Sequence, residues 1–141
     1  MTTKLVTVRP STSAHDIKLL FDKHPFHHLP VVDTGHKLRG IISRKDLANL
    51  AYVLSRNTGG RTFTEKEYQA LTAEDLMTQY PLSLDPDDTI GLAADIFLAN
   101  KFHALPIVED DQLVGIVTTH DLLAWSFNAQ VAEKTEEVFE E

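Results

Sequence analysis

The sequence predicts an α/β fold of the α+β kind: two tandem β-α-β-β-α units packed sheet to sheet about a pseudo-two-fold axis. Three observations predict it. First, the chain aligns with itself at an offset of 76 residues, so that Met1 meets Met77, Pro10 meets Pro86, Phe21 meets Phe97, His27 meets His103 and Pro30 meets Pro106. One residue is then lost in a turn, and Gly40 meets Gly115, Ile41 meets Ile116 and Asp46 meets Asp121 at an offset of 75. Second, within each copy β-rich runs alternate with apolar residues at helical spacing. Third, one such unit is too small to bury its sheet face alone, so a pair is the stable form.

The elements follow in order. Leu5 to Val8 and Pro81 to Leu84 are short β-rich runs, ended by Pro10 and Pro86. Ser13 is an N-cap, with Asp16 in the favoured first turn. Ala14, Ile17, Leu20 and Phe21 then form an apolar stripe, repeated as Ile90, Ala93, Ile96 and Phe97; each stripe is expected to bury against a sheet. The runs starting at Leu29 and Leu105 are strands. Turns at Asp33–His36 and Glu109–Asp111 return the chain into partner strands starting at Leu38 and Leu113. Ser43 with Asp46, and Thr118 with Asp121, have capping-box form and open the closing helices. Between the copies, Thr64–Glu67 and Thr72–Asp75 are two further helix starts. The organisation read from this is a first repeat over 1–54, a connector with a helix over 55–76, a second repeat over 77–127 and an acidic tail over 128–141.

Composition narrows the function classes. The 141 residues are 43% hydrophobic, enough for a core. There is no cysteine, which removes disulfides, thiolate ligands and a cysteine nucleophile. The net charge of -8 opposes binding to nucleic acid. No apolar run reaches membrane-spanning length, and the N-terminus lacks a signal-peptide core, so a cytoplasmic protein with neither nucleic-acid nor membrane partner is expected. No Walker loop, Gly-x-Gly-x-x-Gly, His-Glu-x-x-His or Gly-x-Ser-x-Gly pattern is present. His120-Asp121 is not a fixed dyad of the unit, because the first copy has Lys45-Asp46 there. Catalysis is not expected, nor a metal site, since no further ligand stands at a recognised spacing.

Asp75-Leu-Met-Thr78, His27-His-Leu-Pro-Val-Val32, Phe102-His-Ala-Leu-Pro-Ile-Val108, Gly40-Ile-Ile-Ser-Arg-Lys-Asp46 and Gly115-Ile-Val-Thr-Thr-His-Asp121 together resemble the cystathionine-β-synthase (CBS) domain in tandem, a Bateman module. The resemblance covers residues 1 to about 127. It implies a stand-alone regulatory module rather than a catalyst, with no obligatory cofactor. Such pairs commonly bind AMP, ADP, ATP or S-adenosylmethionine in clefts between the copies, and often form disc-like homodimers. With no effector domain in the chain, output on a partner in trans is expected. The alternative is a structural protein-interaction module without ligand.

Residue chemistry supplies the candidate sites. Asp46 and Asp121, each in a first helical turn, suit a ribose diol, while Ser43 and Thr118 offer hydroxyls and the helix starts offer N–H groups to phosphate. The plain alternative is that all four are caps. Arg44 and Lys45 can pair with phosphate or lie solvated at the surface; Thr119 and His120 replace them in the second copy. The resemblance places His27, His28 and His103 near phosphates, although a hydrogen-bonded turn accounts equally for the first two. Ala104 leaves room for a base beside Pro30 and Pro106, and Thr2, Leu5, Thr78, Tyr80 and Leu82 match positions that contact the base or close the cleft. Two clefts of unequal chemistry are expected, the Asp46 cleft favouring more phosphate charge. The loop entering the first copy, His24-Pro25, is expected to differ from Asn100-Lys101, because Asn tolerates a left-handed cap and a residue before proline does not.

Overall fold

The computed structural model describes residues 5–57, 70–100 and 102–126. Thr2, the Thr64–Glu67 helix start and the acidic tail lie outside the described residues.

Each repeat is built on one antiparallel hairpin. In the first, β1 (His28–Val32) pairs with β2 (Leu38–Ser43); in the second, β4 (Ala104–Glu109) pairs with β5 (Gln112–Thr118). The registers match: His28 faces Ser43 as Ala104 faces Thr118, and the irregularity between Val31 and Val32 recurs between Ile107 and Val108. The gap in the sequence alignment falls in the turns. Five residues link the first hairpin, with His36 at φ 63° and Asp33 Oδ1 accepting from Gly35 and Lys37 N–H. Two link the second, Asp110 and Asp111, both at positive φ as a tight hairpin turn requires.

The opening runs are single bridges rather than strands. Val8 N–H donates to Pro30 O and Val8 O accepts from Val32 N–H; Leu84 does the same with Pro106 O and Val108 N–H. The next rung of such a parallel ladder needs an N–H from Pro30 or Pro106, and proline has none. The ladder therefore stops at one residue in both copies, and Leu5 to Thr7 are left without sheet pairing.

The first helix, α1 (Ala14–Lys23), starts as expected: Ser13 Oγ accepts from Asp16 N–H at 3.1 Å. It buries Ala14, Ile17 and Phe21, the last two in one core cluster with Val8, Leu29, Val31 and Ile42. The equivalent helix after the connector, Ile90–Ala99, buries only Ala93 fully; Ile96 and Phe97 are part-buried, and Ile90 is 45% exposed. The stripe there is thus less covered than its pattern suggests. The difference lies in the connector. A short helix, α3 (Ala73–Leu76), opened by the Thr72–Asp75 pair, returns to the first repeat. Ala14 N–H donates to Leu71 O, Ala73 N–H to Thr12 O and Glu74 N–H to Pro10 O. Ala73, Leu76 and Met77 join the first core, and β3 (Thr78–Gln79) adds a third strand beside β2. Between β2 and α3 the chain runs as α2 (Arg44–Asn57). The helix Ile90–Ala99 is α4, and residues 119–126 continue as a closing helix.

The two helix ends expected to differ are alike. His24 caps α1 at φ -124°, ψ 152° and Asn100 caps α4 at φ -129°, ψ 167°. Asn100 does not use the left-handed region; its side-chain N–H donates instead to Ile96 O at 2.9 Å, satisfying an end-of-helix carbonyl directly. The repeats touch through the hairpin turns, where Leu113 N–H donates to His36 O and Gln112 Nε2 to Gly35 O, both at 3.2 Å.

Candidate functional site: a ligand cleft between the repeats

A cleft of about 800 Å³ opens between the two copies. The first repeat supplies one wall from Leu5 and Val6, the loop Pro25–His27, and His28 and Pro30 of β1. The single-bridge geometry matters here, since a full parallel strand would tie Leu5 and Val6 into the sheet. The second wall comes from His103, Ile116 and the junction of β5 with its closing helix, Thr118 to Asp121; Ser43, Arg44 and Lys45 complete the rim.

The helix junctions are built alike. Ser43 N–H donates to Asp46 Oδ2 at 2.8 Å and Ser43 Oγ accepts from Asp46 N–H at 3.0 Å. Thr118 and Asp121 repeat this at 2.9 and 3.1 Å. Both aspartates are caps, so the structural alternative holds for both. Capping engages one carboxylate oxygen; among the described residues the other oxygen of Asp121 makes no hydrogen bond. Asp121 lines the cleft, whereas Asp46 does not.

Arg44 holds a different post from the one expected of a phosphate ligand. Its Nε donates to Phe26 O at 2.8 Å, and its Nη2 donates to Phe21 O at 2.6 Å and to His24 O. The guanidinium lies 5.2 Å from the Phe21 ring centre. It closes the C-terminal end of α1, where a helix leaves carbonyls without partners and carries partial negative charge.

His28 is half-buried, and its pKa is held below the ordinary 6.5. Loss of hydration is the main cause, the neighbouring His27 and His103 add to it, and Asp46 partly opposes it. Among the described residues no group of three His, Asp or Glu is placed to hold a metal ion.

Of the expected site residues, the cleft gathers Leu5, His27, His28, Pro30, Ser43, Arg44, Lys45, His103, Thr118, Thr119, His120 and Asp121. Ala104, Pro106 and Asp46 lie outside it. Thr78 is in β3, Tyr80 is 80% exposed at φ 48°, and Leu82 is half-exposed; none of the three lines it. The expected grouping of each aspartate with its own sequence neighbours is replaced by one across the repeats: Asp121 shares a cleft with Arg44 and Lys45. Val6, Pro25, Phe26 and Ile116 were not singled out by sequence. Ile116 follows Gly115 and faces Pro106 in the register, so sheet pairing was the signal available for it.

The CBS domain pattern matches residues 1–52 and 73–128. The chain belongs to the CBS domain family. It is a tandem CBS pair, 31% identical over 119 residues to inosine-5'-monophosphate dehydrogenase from Korarchaeum cryptofilum, covering 84% of this chain and 21% of that protein. It is also 31% identical to the chloroplastic CBS domain-containing protein CBSX2 of Arabidopsis thaliana, over 94% of this chain and 62% of that one. The CBS pair thus spans less than two thirds of either relative. The crystal structure of CBSX2 in complex with AMP superposes with a TM-score of 0.76 at 30% identity, covering 92% of this chain and 94% of the other. The CBS domain pair of MJ0100, solved with 5-methylthioadenosine and S-adenosyl-L-methionine, superposes at 0.68 with 26% identity, over 88% and 92%. Among the described residues of this pair, no helix is long and apolar enough to cross a membrane.

Proposed function

We propose that this CBS pair is a regulatory module that binds an adenine nucleotide or a related adenosyl ligand in the cleft and acts on a partner in trans. The observation carrying this reading is the composition of the cleft: an apolar side from Leu5, Val6, Pro30 and Ile116, and a polar end carrying the Asp121 carboxylate and the Thr118–Thr119 helix start. An apolar side takes a flat base, a carboxylate takes a ribose diol, and hydroxyls with helix N–H groups take phosphate. The volume falls in the range of small-molecule sites. The adenosyl complexes of the similar pairs support the same ligand class. Ligand that fits one arrangement of the two walls better than another shifts the pair toward it, and a partner reads the difference.

Paired substitutions test it. Asp46 and Asp121 make equivalent caps, so Asp46→Ala and Asp121→Ala should each cost about 1 kcal/mol of stability. Asp121→Ala alone should weaken AMP binding about tenfold, as loss of a charged hydrogen bond does. Equal affinity in the two variants, measured by calorimetry, removes the ribose role from Asp121.

A homodimer belongs to the same reading. The outward face of α1 mixes Asp16, Lys18 and Asp22 with a half-exposed Leu19, so it offers less apolar surface than the second repeat. On the second repeat, Ile90, Leu92 and Leu98 of α4 and Leu123 and Trp125 of the closing helix are exposed, Leu98 at 86%. Burying such a surface favours self-association. Sedimentation should give a dimer that Leu98→Glu converts to monomer; a wild-type monomer at high concentration refutes it.

A further inference from the structure

We propose that the outer edge of β5 is the docking surface for the chain's own first residues: residues 1–3 lie along it as an antiparallel strand, Thr2 opposite Ile116 and Thr3 opposite Gly115, and strap the two walls of the cleft together. The pairing stands without any ligand. Its effect on affinity rests on the nucleotide reading above.

The backbone of Ile116 calls for a partner. Pro106 O accepts from Leu84 N–H, so the main-chain groups of Pro106 point away from β5. Pro106 is paired with Ile116. In an antiparallel ladder, two residues directly opposite either exchange both bonds or turn both away. The N–H and C=O of Ile116 therefore point outward, where among the described residues nothing pairs with them. Yet Ile116 is only 7% exposed. Buried main-chain groups without partners are rare and costly, so this edge requires a cover.

The repeat says which segment covers it. Lys37 and Gln112 bridge one another, and they are equivalent at the offset of 75. A residue that meets its own counterpart lies on a two-fold axis. What the segment before the second repeat does to the first, the segment before the first does to the second. Thr78 lies opposite Ile41 and Gln79 opposite Gly40. Carried across the axis, these become Thr2 opposite Ile116 and Thr3 opposite Gly115.

The space and the reach agree. A Cβ at Gly40 would stand 2.8 Å from Thr78 O, so the strap crosses where there is no side chain. Gly115 holds the equivalent place and is also buried. Glycine inside a strand marks such a close backbone approach. Leu5 lines the cleft together with Ile116. The three steps from Leu5 back to Thr2 span about 10 Å when extended. A strap on β5 thus fixes Leu5 and Val6 of one wall relative to Ile116 and Thr118 of the other.

Proline substitutions in the full chain test the register. Tyr80 N–H donates to Arg39 O, which makes Ile41–Thr78 the pair that exchanges both bonds and Gly40–Gln79 the pair that turns them away. Thr2 N–H accordingly donates to Ile116 O, and Thr3 N–H faces outward. Proline removes one N–H. Thr2→Pro should break the strap, and Thr3→Pro should leave it. Amide hydrogen exchange should show Ile116 protected in wild type and Thr3→Pro, and exchanging about tenfold faster in Thr2→Pro. AMP should bind Thr2→Pro about tenfold more weakly by calorimetry, as the seated fraction falls to about a tenth. Equal exchange at Ile116 in the two variants overturns the pairing. Protection of Ile116 that rises with protein concentration assigns the edge to a second copy and also overturns it. Unchanged AMP affinity with protection lost removes the strap from the cleft but leaves the nucleotide reading standing. Wild type that binds no AMP overturns the nucleotide reading, while the exchange data still decide the pairing.

Discussion

Replacing Arg44 by methionine lowers the unfolding free energy by about 3 kcal/mol and the melting temperature by about 10 °C, as the loss of several charged hydrogen bonds in a chain of this size entails. Methionine keeps the unbranched stem and removes only the fork. The carbonyls of Phe21, His24 and Phe26 then lose their shared donor, at a half-buried place where water replaces it poorly. The helix end also loses the cation opposing its dipole, and Phe21 loses the guanidinium beside its ring. Arg44→Lys should recover less than half, because an ammonium cannot serve three acceptors spread over the end of α1 and the following loop. Thermal melting without ligand is the deciding measurement. If Arg44 served mainly as a phosphate ligand, its removal would leave the melting temperature unchanged.

Gly40→Ala should cost about 2 kcal/mol, in the range of overpacked sites. A Cβ at Gly40 would stand 2.5 Å from Met77 Sδ, 2.8 Å from Met77 Cγ and 2.8 Å from Thr78 O. The methionine can turn aside. The carbonyl cannot move without pulling β3 away from β2, since Gly40 is paired with Gln79 and Ile41 with Thr78. Gly91 in α4 is the internal control: an added Cβ there meets Thr89 Oγ1 at an ordinary 3.7 Å. Gly91→Ala should therefore be neutral or stabilising by up to about 1 kcal/mol, because it reduces the freedom of the unfolded chain. Denaturant midpoints of the two variants should shift in opposite directions or differ by that margin. Equal midpoints would mean that β3 yields freely.

Sequence carried the local grammar well. The caps at Ser13, Ser43, Thr72 and Thr118 all form, because a cap needs only a side chain three residues from its partner. The matched hairpins follow from the repeat, and their offset change falls in a turn because only there does an extra residue cost no pairing. What sequence did not reveal is who meets whom across the molecule. The single-residue bridges at Val8 and Leu84 depend on a missing N–H in a different strand. The post held by Arg44 depends on carbonyls 18 to 23 residues earlier. The site was legible as residue types, but its assembly was not: adjacency in the chain joined Asp46 to Arg44 and Lys45, and folding joined them to Asp121.

The route of residues 71–79 bears on how the two halves depend on each other. This segment spans the end of the connector and the start of the second repeat, yet it fills the core and sheet edge of the first. A protease nick between residues 57 and 70 would leave the N-terminal fragment with an uncovered strand edge, and the C-terminal fragment with the strand that covers it. The halves behave in this respect as donor and acceptor, the arrangement from which strand exchange between separate chains arises. Here the donor is already covalently attached, so the exchange is completed within one molecule.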